Sequence, residues 1–146
     1  MRTSNHVMSA VSYSSSDIRR LLLQLGATSR YVGFDYVVHA IYLSLNNRNY
    51  LLSVTKELYP EVAKHFGATI CSVERNIRTV ISSIWQRNPQ LLNEITGYPL
   101  QKRPSVGEFI SIIREYLFYQ EEHRSHRSLS FSDFPGHTDA RLSAHA

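Results

Sequence analysis

Apolar residues recur along this chain at three- and four-residue spacing, the signature of helices with one buried face. Ile18, Leu21, Leu22 and Leu25 form the first such stripe, and Gly26 supplies its stop. A longer stripe, Phe34, Val37, Val38, Ile41 and Leu45, predicts a helix over 30–46, closed by Asn46-Asn47-Arg48-Asn49. Leu51, Val54 and Leu58 predict a further helical segment over 51–58. Pro60 disfavours helix at Tyr59, so a break or kink is expected there, with Pro60 opening the next helix. That short helix turns Val62, Ala63 and Phe66 inward and ends at Gly67. The following helix, over 70–87, buries Val73, Ile77, Val80, Ile81 and Ile84, with Trp85 as a core anchor near its end.

The remaining helix signals are local. Asn88-Pro89 pairs an N-cap with proline at the first helical position, and Leu91, Leu92 and Ile95 follow before Gly97. A loop over 97–104 holds two prolines and the basic pair Lys102-Arg103. Ser105 and Glu108 form a capping box, after which Phe109, Ile112, Ile113, Tyr116 and Leu117 make a last core face. Residues 1–15 are polar and small, and 123–146 are rich in Ser, His and Arg; both are expected to be disordered. No alternation long enough for a strand is present, so the expected fold is all-α, a compact bundle of about six helices over 16–122.

Residues 59–78 carry the sharpest signal: a short helix, a glycine-led turn, and a second helix with a polar outer face. That is the layout of a helix-turn-helix, whose second helix enters the major groove of duplex DNA. Arg75, Arg78, Thr79 and Ser82 fall on one side of that helix with Glu74 beside them. Arg can donate two hydrogen bonds to a guanine edge, Glu can accept from cytosine N4, and Thr can meet a thymine methyl. The candidate base readers are therefore Glu74, Arg75, Arg78 and Thr79. Lys56, Lys64, His65, Ser72, Arg87, Lys102 and Arg103 are the candidate phosphate contacts. The plain alternative is an amphipathic helix whose polar face is merely solvated.

The run Ser53-Val54-Thr55-Lys56-Glu57-Leu58-Tyr59-Pro60-Glu61-Val62-Ala63-Lys64, followed by Ser72-Val73-Glu74-Arg75-Asn76-Ile77-Arg78, closely resembles a known family. It is similar to the C-terminal effector domain of the stage-zero sporulation response regulator, the master regulator of endospore formation. The likeness continues through Trp85, Gly97-Tyr98 and Glu108-Phe109-Ile110 and covers roughly 16–122. The resemblance implies a six-helix domain that recognises a short promoter element, often as a head-to-tail pair on tandem sites. It implies base reading at Glu74, Arg75 and Arg78, and contact with the RNA polymerase sigma subunit through about 85–96. This sequence departs from the family pattern at Asn76, where a small apolar residue is expected, and at Ser72, where a basic one is common. Only about fifteen residues precede the first helix, so phosphorylation of a receiver domain is not expected to be its switch.

Composition narrows the rest. Sixteen Lys and Arg against twelve Asp and Glu give a net charge of +4, compatible with a polyanionic partner without requiring one. The single cysteine, Cys71, excludes an internal disulfide framework and suits a reducing cytoplasm; it is read as a small packed side chain. No apolar stretch reaches membrane-spanning length, and no catalytic constellation, cofactor loop or metal-ligand spacing is found. His123, His126, His137 and His145 lie in the low-complexity tail without fixed geometry. His39 and His65 read as helix-surface residues, and the abundant aromatics as core. The expected function is transcription regulation through sequence-specific binding of double-stranded DNA. The rival is an interaction module or competitor that binds a sigma factor or the full-length regulator.

Overall fold

Four of the six α-helices described start on a side-chain cap, and two, those beginning at Val32 and Tyr59, start without one. The computed structural model describes residues 14–133, with side chains through Arg124; among the described residues there are six α-helices and no strand. These are α1 Ser15–Gln24, α2 Val32–Asn46, α3 Tyr59–Phe66, α4 Ile70–Arg87, α5 Pro89–Thr96 and α6 Val106–Asp133. The Ser14 hydroxyl accepts from the Asp17 amide at 3.3 Å, and the Asp17 carboxylate accepts from the Ser14 amide at 3.4 Å. Ser14 and Ser15 therefore belong to the start of α1 rather than to the disordered segment expected over 1–15; residues 1–13 lie outside the described residues. Asn88 caps α5 through the Leu91 amide at 3.2 Å. Ser105 and Glu108 close the expected box on α6, at 2.8 and 3.2 Å.

The segment between α2 and α3 differs from the helix predicted over 51–58. Residues Arg48–Leu52 form a 3₁₀ turn, and Val54–Leu58 a π turn that runs directly into α3. Tyr59 is helical, with φ −59° and ψ −43°, so the chain does not break there. The cause is the register. Leu58 donates to the Ser53 carbonyl at 3.3 Å, and Tyr59 donates to the Val54 carbonyl, both five residues back. A wider turn leaves room for the Pro60 ring, which in a tight α turn would collide with the carbonyl four residues earlier.

Extensive interhelical packing joins α2 to α4. Gly33 is the point of closest approach: a Cβ placed on it would meet the Asn76 carbonyl oxygen and stand 2.9 Å from Val80 Cγ2. Around it Phe34, Val37 and Ile41 of α2 meet the buried face of α4, Val73, Ile77, Val80, Ile81 and Ile84, all at most 1% exposed. Burying five such aliphatic side chains contributes about 1.5–3 kcal/mol each before ordering costs. Two charged links tie further pairs: Arg19 to Asp35 at 2.6 Å, and the Arg114 Nε, which donates to the Ser44 carbonyl at 2.9 Å.

Several residues expected in the core sit elsewhere. Phe66 is 40% exposed, and Trp85, Leu45 and Ile112 are half-buried; Ile110 takes the buried position on α6 beside Phe109 and Ile113. Helix α6 does not end near Glu122 but continues through Asp133, so the tail expected from 123 is helical over 123–133 and outside the described residues beyond. The chain divides into two compact units, one through Glu115 and one from Tyr116. The second is the latter part of α6, where Gln120 donates to the Tyr116 hydroxyl at 2.6 Å and the Tyr119 and His123 rings lie 4.0 Å apart.

Candidate nucleic-acid interface

A three-residue turn, Gly67-Ala68-Thr69, joins α3 to α4, and each residue has a role fixed by its chemistry. Gly67 adopts the left-handed conformation, φ 63° and ψ 38°, that terminates α3. The Ala68 amide then donates to the Ala63 carbonyl at 2.9 Å, and the Thr69 hydroxyl caps α4 by accepting from the Ser72 amide at 3.1 Å. Ala63 is 5% exposed, its small side chain letting the two helices come close. Together these set α4 against α3 with one face buried and the other outward.

On that outer face Arg75, Arg78 and Thr79 are exposed and Glu74 is half-buried. Arg78 Nη2 lies 2.5 Å from Glu74 Oε2, an i,i+4 pair with the acid N-terminal to the base. Both side chains are about half exposed, so solvent screening keeps the pair worth only a few tenths of a kcal/mol. A polar partner can therefore open it at little cost. The Thr79 hydroxyl donates to the Arg75 carbonyl at 3.0 Å, leaving its methyl as the outward apolar group. Of the five candidate groups on this face, Ser82 is the exception: its hydroxyl accepts from Arg103 Nη1 at 2.7 Å.

Behind this face lies Tyr59, 4% exposed. Burial pushes its hydroxyl above the ordinary phenol range; the Glu74 carboxylate adds to the rise, and Arg78 opposes it. The phenol therefore stays neutral and remains a hydrogen-bond donor beside the Glu74–Arg78 pair.

The candidate phosphate contacts are dispersed. Lys56 and Lys64 are exposed on the π turn and on α3, and Lys102 is exposed in the loop before α6. Arg87 lies at the far end of α4, about 18 Å along the helix axis from Arg75. Ser72 is half-buried; its carbonyl and hydroxyl accept from Asn76 Nδ2 at 2.7 and 3.2 Å. The His65 ring stacks on His39 of α2, centroids 3.9 Å apart and planes 19° from parallel, with Phe66 edge-on to both. Desolvation lowers the His39 pKa, and His65 lowers it further, while Glu61 raises it. Cys71 is exposed, not packed as expected.

Sequence reasoning missed the Arg103–Ser82 bond, which spans 21 residues and leaves no local signal. It also missed the His39–His65 stack, which only the α2–α3 crossing creates. The Glu74–Arg78 pair, by contrast, has an i,i+4 charge pattern visible in the sequence.

The family comparison matches residues 18–117 to the Sporulation initiation factor Spo0A C terminal family. The chain belongs to that family. The match spans all of α1 to α5 except the first residues of α1, together with the start of α6, and so includes the whole helix-turn-helix. Membership makes this a sporulation-related DNA-binding domain, and the family is not one of enzymes. No helix among the described residues is long and apolar enough to cross a membrane.

Proposed function

We propose that this domain regulates transcription by reading a short sequence in double-stranded DNA, with α4 in the major groove. The observation that carries the reading is the ridge on α4: Arg75, Arg78 and Thr79 face solvent in front of five fully packed aliphatic side chains. Rigid backing fixes where the guanidinium groups point, which base recognition requires. Glu74, Arg75, Arg78 and Thr79 are the base readers in this proposal. Lys56, Lys64, His65, Ser72, Arg87, Lys102 and Arg103 are its phosphate contacts, supported by their exposure or their place beside α4.

The two departures from the family pattern fit the same reading. Asn76 turns its amide back onto Ser72 instead of leaving a buried polar group unmet. Neither residue then obstructs the ridge. Head-to-tail pairing on tandem sites, and contact with the polymerase sigma subunit through 85–96, belong to the same proposal by way of the family likeness. Among those residues Gln86, Arg87, Gln90 and Glu94 are exposed.

Selection of bound duplexes from a random pool tests the proposal directly. A single enriched element should emerge, and at ~0.1 M salt it should outcompete random DNA by ~10³-fold or more. A pool that enriches nothing would leave the interaction-module alternative standing instead.

A further inference from the structure

Beside the ridge, and sharing Arg78 with it, a cleft of about 310 Å³ opens between α4, the start of α3 and the beginning of α6. Its walls include Arg78 on one side and Arg103 on the other; Ile81 and Tyr59 are among the buried residues that line it, and Ser105 and Gly107 belong to the α6 end. Two arginines from different elements, Arg78 of α4 and Arg103 of the loop before α6, thus line one concavity. Two of its lining residues already hold a carboxylate: Arg78 pairs with Glu74, and the Ser105 amide donates to Glu108 at 2.8 Å. The cleft also opens on the first turn of a 28-residue helix, where the aligned peptide dipoles favour negative charge.

From this arrangement the geometry points to a seat for a single phosphate group, gripped by Arg103 with Arg78 as the opposite wall. The inference rests on the DNA-binding reading for its natural ligand, a backbone phosphate flanking the groove that α4 occupies. A phosphate on a free small molecule offers the same chemistry. Arg103 is held in place beforehand by its 2.7 Å bond to Ser82 of α4. A guanidinium already fixed loses less freedom on gripping an anion than a free side chain does. Arg78 borders both the base-reading ridge and the cleft. A phosphate seated there would compete with Glu74 for it, linking the docking pose to the state of the reading face.

Two measurements test the seat. In the first, duplexes carrying one neutral methylphosphonate linkage are scanned along the selected element, with the wild-type chain and with Arg103→Gln. One linkage should weaken wild-type binding and have no effect on Arg103→Gln, whose log–log salt slope should fall by about 0.9. In the second, inorganic phosphate is titrated into the free protein while amide resonances are followed. Saturable shifts at Ser105 and Gly107, lost in Arg103→Gln, would support the seat, and without the linkage effect they would assign it to free phosphate. If every neutral linkage weakens both proteins equally and phosphate moves neither amide, the seat does not exist. A preserved preference for the selected element over random DNA would, in that case, leave the DNA-binding reading intact.

Discussion

Gly33 of α2 rests directly on the Asn76 carbonyl of α4, leaving no room for a side chain between the two helices. This contact sets the distance of the proposed reading helix from its brace, α2. Asn76 also folds its side-chain amide back onto the Ser72 carbonyl of its own helix. A family position expected to be small and apolar is filled by a polar residue that satisfies itself within its own helix.

Gly33→Ala should therefore destabilise the fold by about 1–3 kcal/mol, since the obstructing atoms are backbone and cannot rotate away. Chemical denaturation measures it. A change within about 0.5 kcal/mol would show that α2 and α4 can part freely at this point.

Arg75→Ala should cost about 1–3 kcal/mol of binding on the selected element and relax the preference at one base pair. Its side chain is exposed and no ion pair constrains it in the free protein among the described residues, unlike Arg78. Equal losses on specific and random duplexes would show that Arg75 holds phosphate rather than reading sequence.

Lys64→Ala removes an exposed charge on α3, the helix that in this motif crosses the backbone. It should weaken specific and random duplexes alike and flatten the log–log salt slope by about one unit. Titrations at three salt concentrations suffice, and an unchanged slope would remove Lys64 from the contact set.

The His39–His65 stack predicts a pH dependence of stability. The folded-state pKa of His39 is lowered, so the folded protein holds fewer protons than the unfolded chain, and stability rises with pH. The contribution is complete above the ordinary histidine value of about 6.5 and is lost as pH falls below it, until the folded-state pKa is passed. The charged neighbour that opposes this is Glu61, whose carboxylate favours the protonated ring. Denaturation midpoints at pH 7.5 and 5.5 should converge in His39→Gln relative to wild type, because the variant lacks the titrating ring. Identical pH profiles would assign the acid sensitivity elsewhere.

The helix-turn-helix was legible because its determinants are local. Gly67 ends α3, Thr69 caps α4 and the aliphatic period marks the buried face, all within twenty residues. Local signals misled where two of them competed. The rule against helix before proline predicted a break or kink at Tyr59, but a widened turn accommodated Pro60 and the helix ran on. Phe66 has the spacing of a core residue, yet it stays 40% exposed, its ring set against Tyr36 and edge-on to His39 of α2. The end of α6 escaped prediction because polar composition after Glu122 does not by itself stop a helix.

Sequence alone determined that the chain is all-α with about six helices, the glycine stops and the caps at Asn88 and Ser105, and the residues offered on the face of α4. These depend on propensity, period and hydrogen bonds reaching three or four residues. Tertiary structure alone decided that Arg103 would meet Ser82 and share a cleft with Arg78, that His39 would stack on His65, and that Gly33 would touch Asn76. Each pairing depends on how two helices cross. Crossing angles come from the interlocking of whole buried faces, which no short stretch of chain encodes.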